Sequence, residues 1–292
     1  MKGEIIIENY YDIWFSSINI KNKYKLRLLE LYDSNKIWNL NEKEFMSLKI
    51  RKDIFNEIEI SKKKYNIKKY QNYIIKNDIK LISVRDKNNY PKKLYYIDNM
   101  PAYLYVRGNI NNLYSDNVAV VGSRHATEYG RYVSRKIGKE LADMNINIVS
   151  GLALGIDKFA HLGALDSRIG KTIAVLGTGV SNEEIYPYQN KRIFERILEN
   201  GGTIISEYKL NTAPNKENFP LRNRIISGIS DKIIIVEATK NSGSLITARY
   251  GVEQGKDIYA VPGNITSKNS IGTNKLIEEG AYLFKKTSDI FY

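Results

Sequence analysis

VAVVGSR (118–124) is the stretch that decides the fold. Four apolar residues, three of them β-branched, run without alternation into Gly-Ser-Arg, and a helical pattern follows over 128–143. An unbroken apolar run suits a strand buried on both faces, and a glycine at its end lets the chain turn sharply into a helix. The unit recurs. INIV (146–149), TIAVLG (172–177), TIIS (203–206), KIIIVE (232–237) and DIYAV (257–261) read as further strands, with AYLF (281–284) as an added edge. Helices fit between them at about 128–143, 157–166, 189–199, 221–229, 244–254 and 273–279. Strands alternating with helices through right-handed crossovers predict an α/β fold, a Rossmann-like doubly wound and mostly parallel sheet, over residues 113–292.

Upstream the pattern differs. Leu26, Leu29 and Leu31, then Ile37 and Leu40, then Phe45 and Leu48, then Ile54, Ile58 and Ile60 are spaced for short amphipathic helices. Residues 61–80 read as another helix that leads to a short strand at 80–84. Residues 1–75 are therefore expected to form a small all-α module. Residues 76–112 are expected to connect it to the sheet, with Tyr90-Pro91 and Met100-Pro101 as extended or turn points.

The chain has 292 residues and a net charge of +13. The length suits two units and the composition can bury a core. The absence of cysteine excludes disulfides, thiolate metal sites, Fe–S clusters and a cysteine nucleophile, and His125 and His161 are too few for a His-rich metal site. No apolar run is long enough to span a membrane. The first residues carry acids where a signal peptide has a basic stretch, so a cytoplasmic protein is expected. The basic surplus favours a polyanionic partner. Residues 1–110 hold 22 basic and 13 acidic side chains, and residues 111–292 hold 23 and 19, so net charge alone does not locate the site.

In a parallel sheet the loops after the strands open on one edge, where ligands bind. Here those loops are rich in Gly, Ser, Thr and Asn, which bring backbone N–H groups close to a ligand. The first has only Gly122 and Gly130, not the GxGxxG of dinucleotide sites, and no acid ends the second strand to hold a ribose. The P-loop signature and the GxSxG elbow are absent. Asp157 and His161 share a helix face, where Asp157 is expected to cap the helix and His161 to bond locally. Cations mark the edge more sharply: Arg124 after Gly122-Ser123, then Lys216, Arg222 and Arg224 with Phe219 in the loop 206–224, and Lys240 in the next loop. Cations around one aromatic surface suit single-stranded nucleic acid. Gly122, Ser123, Ser150, Gly151, Ser242, Gly243 and Ser244 are the candidate N–H and hydroxyl donors, with no catalytic residue, metal or cofactor expected.

Several of these segments resemble the DprA/Smf family of bacterial DNA-processing proteins. They are VAVVGSR (118–124), SGLALGIDKFAHLGAL (150–165), TIAVLGTGV (172–180) with Tyr186-Pro187, and FPLRNRIISGIS (219–230). IIVEATKNSGSLITA (234–248), VPGN (261–264) and IGTNKLIEEGA (271–281) continue the match in the family's order. YPKKL (90–94) and PAYLYVRGN (101–109) are similar to the segment before the family's Rossmann domain, and the N-terminal helices to its SAM-like module. The resemblance implies a non-enzymatic protein that binds single-stranded DNA and dimerises through the Rossmann domain. It implies help in loading a RecA-type recombinase and protection of incoming DNA in natural transformation, with no membrane partner. By position, Arg124 matches the DNA-contacting arginine, Lys216 and Phe219 the Lys-x-x-Phe of its pocket, and Arg222, Asn223 and Arg224 the RNR run beside it. The family's C-terminal winged helix is not expected here, since the chain stops soon after AYLF. The alternative is a nucleotide-binding or nucleotide-hydrolysing Rossmann protein related to the phosphoribohydrolases, on a broken likeness of 261–280 to their signature.

Overall fold

The computed structural model describes residues 10–64 and 66–291. Residues 1–9, whose acids argue against a signal peptide, lie outside the described residues. Among the described residues six helices come first: α1 (Tyr10–Ser17), α2 (Asn22–Leu31), α3 (Ser34–Asn39), α4 (Glu42–Ser47), α5 (Lys52–Lys64) and α6 (Ile67–Lys76). The helix expected over 61–80 is two helices, because the Asn66 side chain accepts from Lys69 N–H and starts a new one. Trp14, Phe15, Leu28, Leu29, Ile37, Phe45 and Ile58 form the module's own buried cluster.

Among the described residues nine strands make one sheet: β1 (Ile79–Ser83), β2 (Tyr103–Gly108), β3 (Asn117–Val121), β4 (Asn147–Ser150), β5 (Thr172–Val175), β6 (Thr203–Ser206), β7 (Lys232–Ile235), β8 (Asp257–Ala260) and β9 (Tyr282–Leu283). Their order is β1-β2-β6-β5-β4-β3-β7-β8-β9. β1 and β2 pair antiparallel with each other, β2 pairs antiparallel with β6, and the remaining pairs are parallel. The segment 76–112 thus supplies two strands of the sheet. β2 joins the two parts: Leu104 and Val106 enter the sheet's core, while Tyr103 packs in the helical module's cluster. The Tyr103 hydroxyl donates to Asp12 at 2.8 Å, and that of Tyr105 donates to Ser16 Oγ at 2.7 Å.

The central strands are buried on both faces. Val118, Val120 and Ile148 pack against α7 (Glu128–Asp143) and α8 (Ile156–Leu165), while Ala119, Val121 and Val149 pack against α10 (Asn218–Ile229) and α11 (Ser244–Glu253). Helices α9 (Lys191–Glu199) and α12 (Ile271–Glu278) complete the set. Strand order reverses at β3, which has β4 on one side and β7 on the other. The loops after β3 and β7 therefore diverge, and such a switch point opens a crevice at the strand ends. Among the described residues no helix is long and apolar enough to cross a membrane.

Candidate nucleic-acid interface

The crevice is a groove of about 520 Å3. Gly122, Ser123 and Arg124 reach it from the loop after β3, and Ser242, Gly243 and Ser244 from the loop after β7. Lys216, Phe219 and Asn223 reach it from the other side, with the buried Arg222 forming part of its floor. Helix α10 begins at Asn218, so Phe219, Arg222 and Asn223 lie at helical spacing and share a face. The N-termini of α10 and α11 both meet the groove, adding partial positive charge where an anion would sit. Gly243 has open space around it, so the backbone there is accessible to a ligand.

Phe219 lies at the centre. The Arg124 guanidinium stands 5.3 Å from its ring centroid. Gly177 leaves room for the ring, since a Cβ there would stand 2.8 Å from it. Asn218 Nδ2 donates to Gly177 O at 3.1 Å and fixes the start of α10 on this loop. Sequence reasoning missed Tyr186. Its ring centroid is 5.6 Å from that of Phe219, it is 46% exposed, and it lines the same groove. The signal was an aromatic residue in a strand-end loop, read from the sequence only as part of the Tyr186-Pro187 pair and not as a groove residue.

Several expected contacts are corrected. Arg222 is only 3% exposed. Its Nη1 donates to Gly151 O at 2.9 Å and to Val175 O, joining the ends of β4 and β5. Burial pushes its pKa down to about 10, with Asp157 opposing, so it stays charged under the groove rather than reaching into it. Arg224 is also 3% exposed and is not a groove residue. It holds Glu207 through two parallel bonds at 2.5 and 2.7 Å and donates to Asn99 O. Ser150 is buried with its hydroxyl bonded to Val120 O at 2.8 Å, so it has none to offer a ligand. The N–H of Gly151 donates to Asp157 Oδ2 at 3.0 Å, and Gly151 lines only a small recess beside the groove. Lys240 is exposed but does not line the groove.

Asp157 and His161 are buried and bond locally, but Asp157 does not cap its helix as expected: Gly155 stands at the cap of α8, and the Asp157 carboxyl accepts from Gly151 N–H instead. Burial raises the Asp157 pKa, with Arg222 and the Gly151 N–H acting against it. His161 is pushed down to about 3 by burial, and by Arg222 in the same sense. Thr172 Oγ1 donates its one hydrogen to Ile148 O, so it accepts from His161 Nδ1 at 2.7 Å. Nε2 then accepts from Leu152 N–H at 3.3 Å, which fixes the neutral Nδ1–H tautomer.

The head of α7 is where a dinucleotide-binding Rossmann protein holds its pyrophosphate. Here the buried carboxylate of Glu237 fills that place. It accepts from Thr127 N–H at 3.0 Å and from the Thr127 hydroxyl. Thr127 in turn caps α7 by accepting from Gly130 N–H at 3.1 Å, and any Cβ at Gly130 would collide with Glu237. The pyrophosphate position of a dinucleotide site is thus occupied by the protein's own side chain, which disfavours the nucleotide reading. Among the described residues no cluster of His, Cys, Asp and Glu could hold a metal ion.

Fold and groove together define a Rossmann-like protein whose switch-point crevice joins exposed cations to an aromatic face, with its dinucleotide position filled from within. The chain belongs to the DNA recombination-mediator protein A family, whose family model matches residues 80–292. It is 42% identical over 205 residues to Protein Smf of Escherichia coli, covering 70% of this chain and 54% of that one. It is 43% identical over 201 residues to the DNA processing protein DprA of Streptococcus pneumoniae, covering 69% and 70%. The chain spans about half the length of the Escherichia coli relative and of the Synechocystis one. The crystal structure of Streptococcus pneumoniae DprA superposes with a TM-score of 0.84 at 34% identity, over 97% of this chain and 96% of that chain. DNA processing protein A from Helicobacter pylori, described for its single-stranded DNA binding mode, superposes with a TM-score of 0.65 at 32% identity, over 73% and 93%.

Proposed function

We propose that this chain binds single-stranded DNA along the switch-point groove and serves as a recombination mediator without catalysing a reaction. One observation carries the reading: Arg124, stacked 5.3 Å from the Phe219 ring, shares a groove with Lys216. Arg124 and Lys216 hold phosphates, Phe219 stacks on a base with Tyr186 beside it, and the N-termini of α10 and α11 add N–H groups. Backbone-dominated contact gives little sequence preference. The likeness to the DprA proteins supports extending the role to cytoplasmic protection of incoming DNA in transformation and to loading of a RecA-type recombinase. A homodimer would set two grooves on one strand and raise avidity through effective concentration. In this reading residues 1–75 are the helical module, 76–112 the extension that contributes β1 and β2, and 113–292 the DNA-binding unit.

The test is a titration of a labelled single-stranded oligonucleotide with unlabelled single strand, duplex and nucleoside monophosphates as competitors. Single strand is expected to compete best. Equal competition by a nucleoside monophosphate refutes the reading. Sedimentation at micromolar concentration tests the dimer, and a monomer with or without DNA refutes that part.

A further inference from the structure

We propose that a second cleft, between the helical module and the loop that leads into α10, holds the phosphodiester backbone of the next nucleotides of the same DNA strand. This rests on the reading of the groove given above.

The cleft has a volume of about 810 Å3. Asn19, Asn22 and Lys25, at the end of α1 and on α2, form one wall, and Lys209, Asn215 and Lys216 of the 207–218 loop form the other. Lys216 belongs to both cleft and groove. The boundary is one residue wide at the start of α10, where Asn218 faces the cleft and Phe219 the groove. A strand whose base rests on Phe219 and whose phosphate meets Lys216 is therefore led into the cleft.

Its charge is one-sided. The acid in its wall is Glu207, and both of that carboxylate's oxygens are held by Arg224. That pair is neutral, which leaves Lys25, Lys209 and Lys216 uncompensated. Lys25 Nζ donates to Ser16 O at 2.5 Å, and Lys209 Nζ donates to Ser17 O at 3.1 Å. An ammonium has three hydrogens, so each lysine keeps donors for a further acceptor after holding the end of α1. The Asn19 and Asn215 side chains add neutral polar groups around them, while the Asn22 and Asn218 amides are held by Met100 O and Gly177 O. Tyr208, the aromatic residue of the lining, is half-buried with its hydroxyl bonded to Asn218 O, so spaced cations and amides dominate and suit a sugar–phosphate chain rather than bases.

Lys25 adds a signature. Burial and neighbouring Lys209 push its pKa down to about 7, with Glu207 opposing. A phosphate arriving beside it favours the charged form, so binding takes up a proton. Affinity that depends on the cleft then falls as pH rises above about 7, by at most tenfold per pH unit for one proton. The titratable groups facing Lys25 are Lys209 and Glu207, the latter already held by Arg224.

The experiment compares oligothymidylates of roughly six and roughly fifteen nucleotides, the span of known single-strand site sizes, by fluorescence anisotropy across salt concentration. The parent protein is expected to bind the longer one more tightly. Its slope of log K against log salt is expected to be steeper by about 1.4, two phosphates at about 0.7 each. The Lys25→Gln, Lys209→Gln variant is expected to lose both gains while keeping the short oligonucleotide's affinity. Asn19→Glu, at an exposed rim position, places an anion in the cleft with no buried group disturbed and is expected to act in the same direction. Unchanged affinity and slope for the longer oligonucleotide in both variants overturn the proposal. Failure of the parent to bind the short oligonucleotide overturns the groove reading itself, a separate result.

Discussion

Replacing Arg124 with Ala removes one of two exposed cations of the groove, since Arg222 is beneath its surface and Arg224 is elsewhere. Two effects add. Each phosphate neutralised on a single strand contributes about 0.7 to the slope of log K against log salt, so one contact at about 0.1 M salt is a factor of roughly five relative to 1 M. The guanidinium also holds the Phe219 ring in place before DNA arrives, and losing that preorganisation costs at most the contact's about 0.5–1 kcal/mol of affinity, a further factor of up to roughly two to five. Arg124→Ala is thus expected to weaken binding of a short single-stranded oligonucleotide about five- to twenty-five-fold, or by up to about 1.9 kcal/mol. The slope is expected to fall from about −1.4, set by Arg124 and Lys216, to about −0.7. Arg124→Lys keeps the charge and loses the planar stack, so its slope matches the parent while its affinity lies between the two. Fluorescence anisotropy over a salt series measures both quantities, and a melting curve checks folding. Arg124 is exposed and gives up only its contact with the Phe219 ring, so the melting temperature should fall by no more than a few degrees. A folded Arg124→Ala protein with the parent's affinity and slope would falsify the assignment of this groove.

Phe219→Ala should cost about 1–3 kcal/mol of single-strand affinity with the salt slope unchanged, and Phe219→Trp should restore most of it; a changed slope would mean the ring acts by positioning cations. Glu207→Ala leaves the buried Arg224 charge without its partner, so thermal denaturation should show a loss of about 3–5 kcal/mol, whereas a Glu207→Ala protein as stable as the parent would mean Arg224 is not held as described. His161 has a folded pKa of about 3, below its unfolded value near 6.5. The unfolded chain therefore takes up the proton first, and stability falls as pH drops from about 6.5 towards 3, by at most about 1.4 kcal/mol per unit from this group. Denaturant melts of the parent and of His161→Gln should diverge below pH 6; parallel curves count against a buried neutral imidazole. Asp157, whose pKa is raised, acts in the opposite sense at the acid end.

Much of the sheet was legible because its strands are short unbroken Val/Ile runs. The helix expected at 128–143 is found as α7 over the same residues, with Thr127 as its cap. The two strands of 76–112 were harder. β2 reads YLYVRG, where Tyr103 serves the helical module, Tyr105 packs on the sheet with its hydroxyl on Ser16, and Leu104 and Val106 serve the sheet's other face, so no one-sided pattern results. The groove's position, and Arg124 with Lys216 and Phe219, followed from loops converging at the strand ends. Arg222 and Arg224 did not, because α10 starts at Asn218 instead of about 221. That earlier start turns Arg222 under the groove and Arg224 towards Glu207, and nothing in an RNR triplet distinguishes a solvated guanidinium from one bonded to carbonyls.

The guanidinium of Arg222, which ties the end of β4 to that of β5, makes the receptor stiff before any polymer arrives. A stiff receptor leaves all the bending to its guest. Duplex DNA keeps its direction over about 50 nm and cannot follow a crevice one side chain deep, whereas an unpaired chain turns at every sugar. On the proposed reading, discrimination between the two forms would need no reader of sequence or base pairing, only a crevice that keeps its shape.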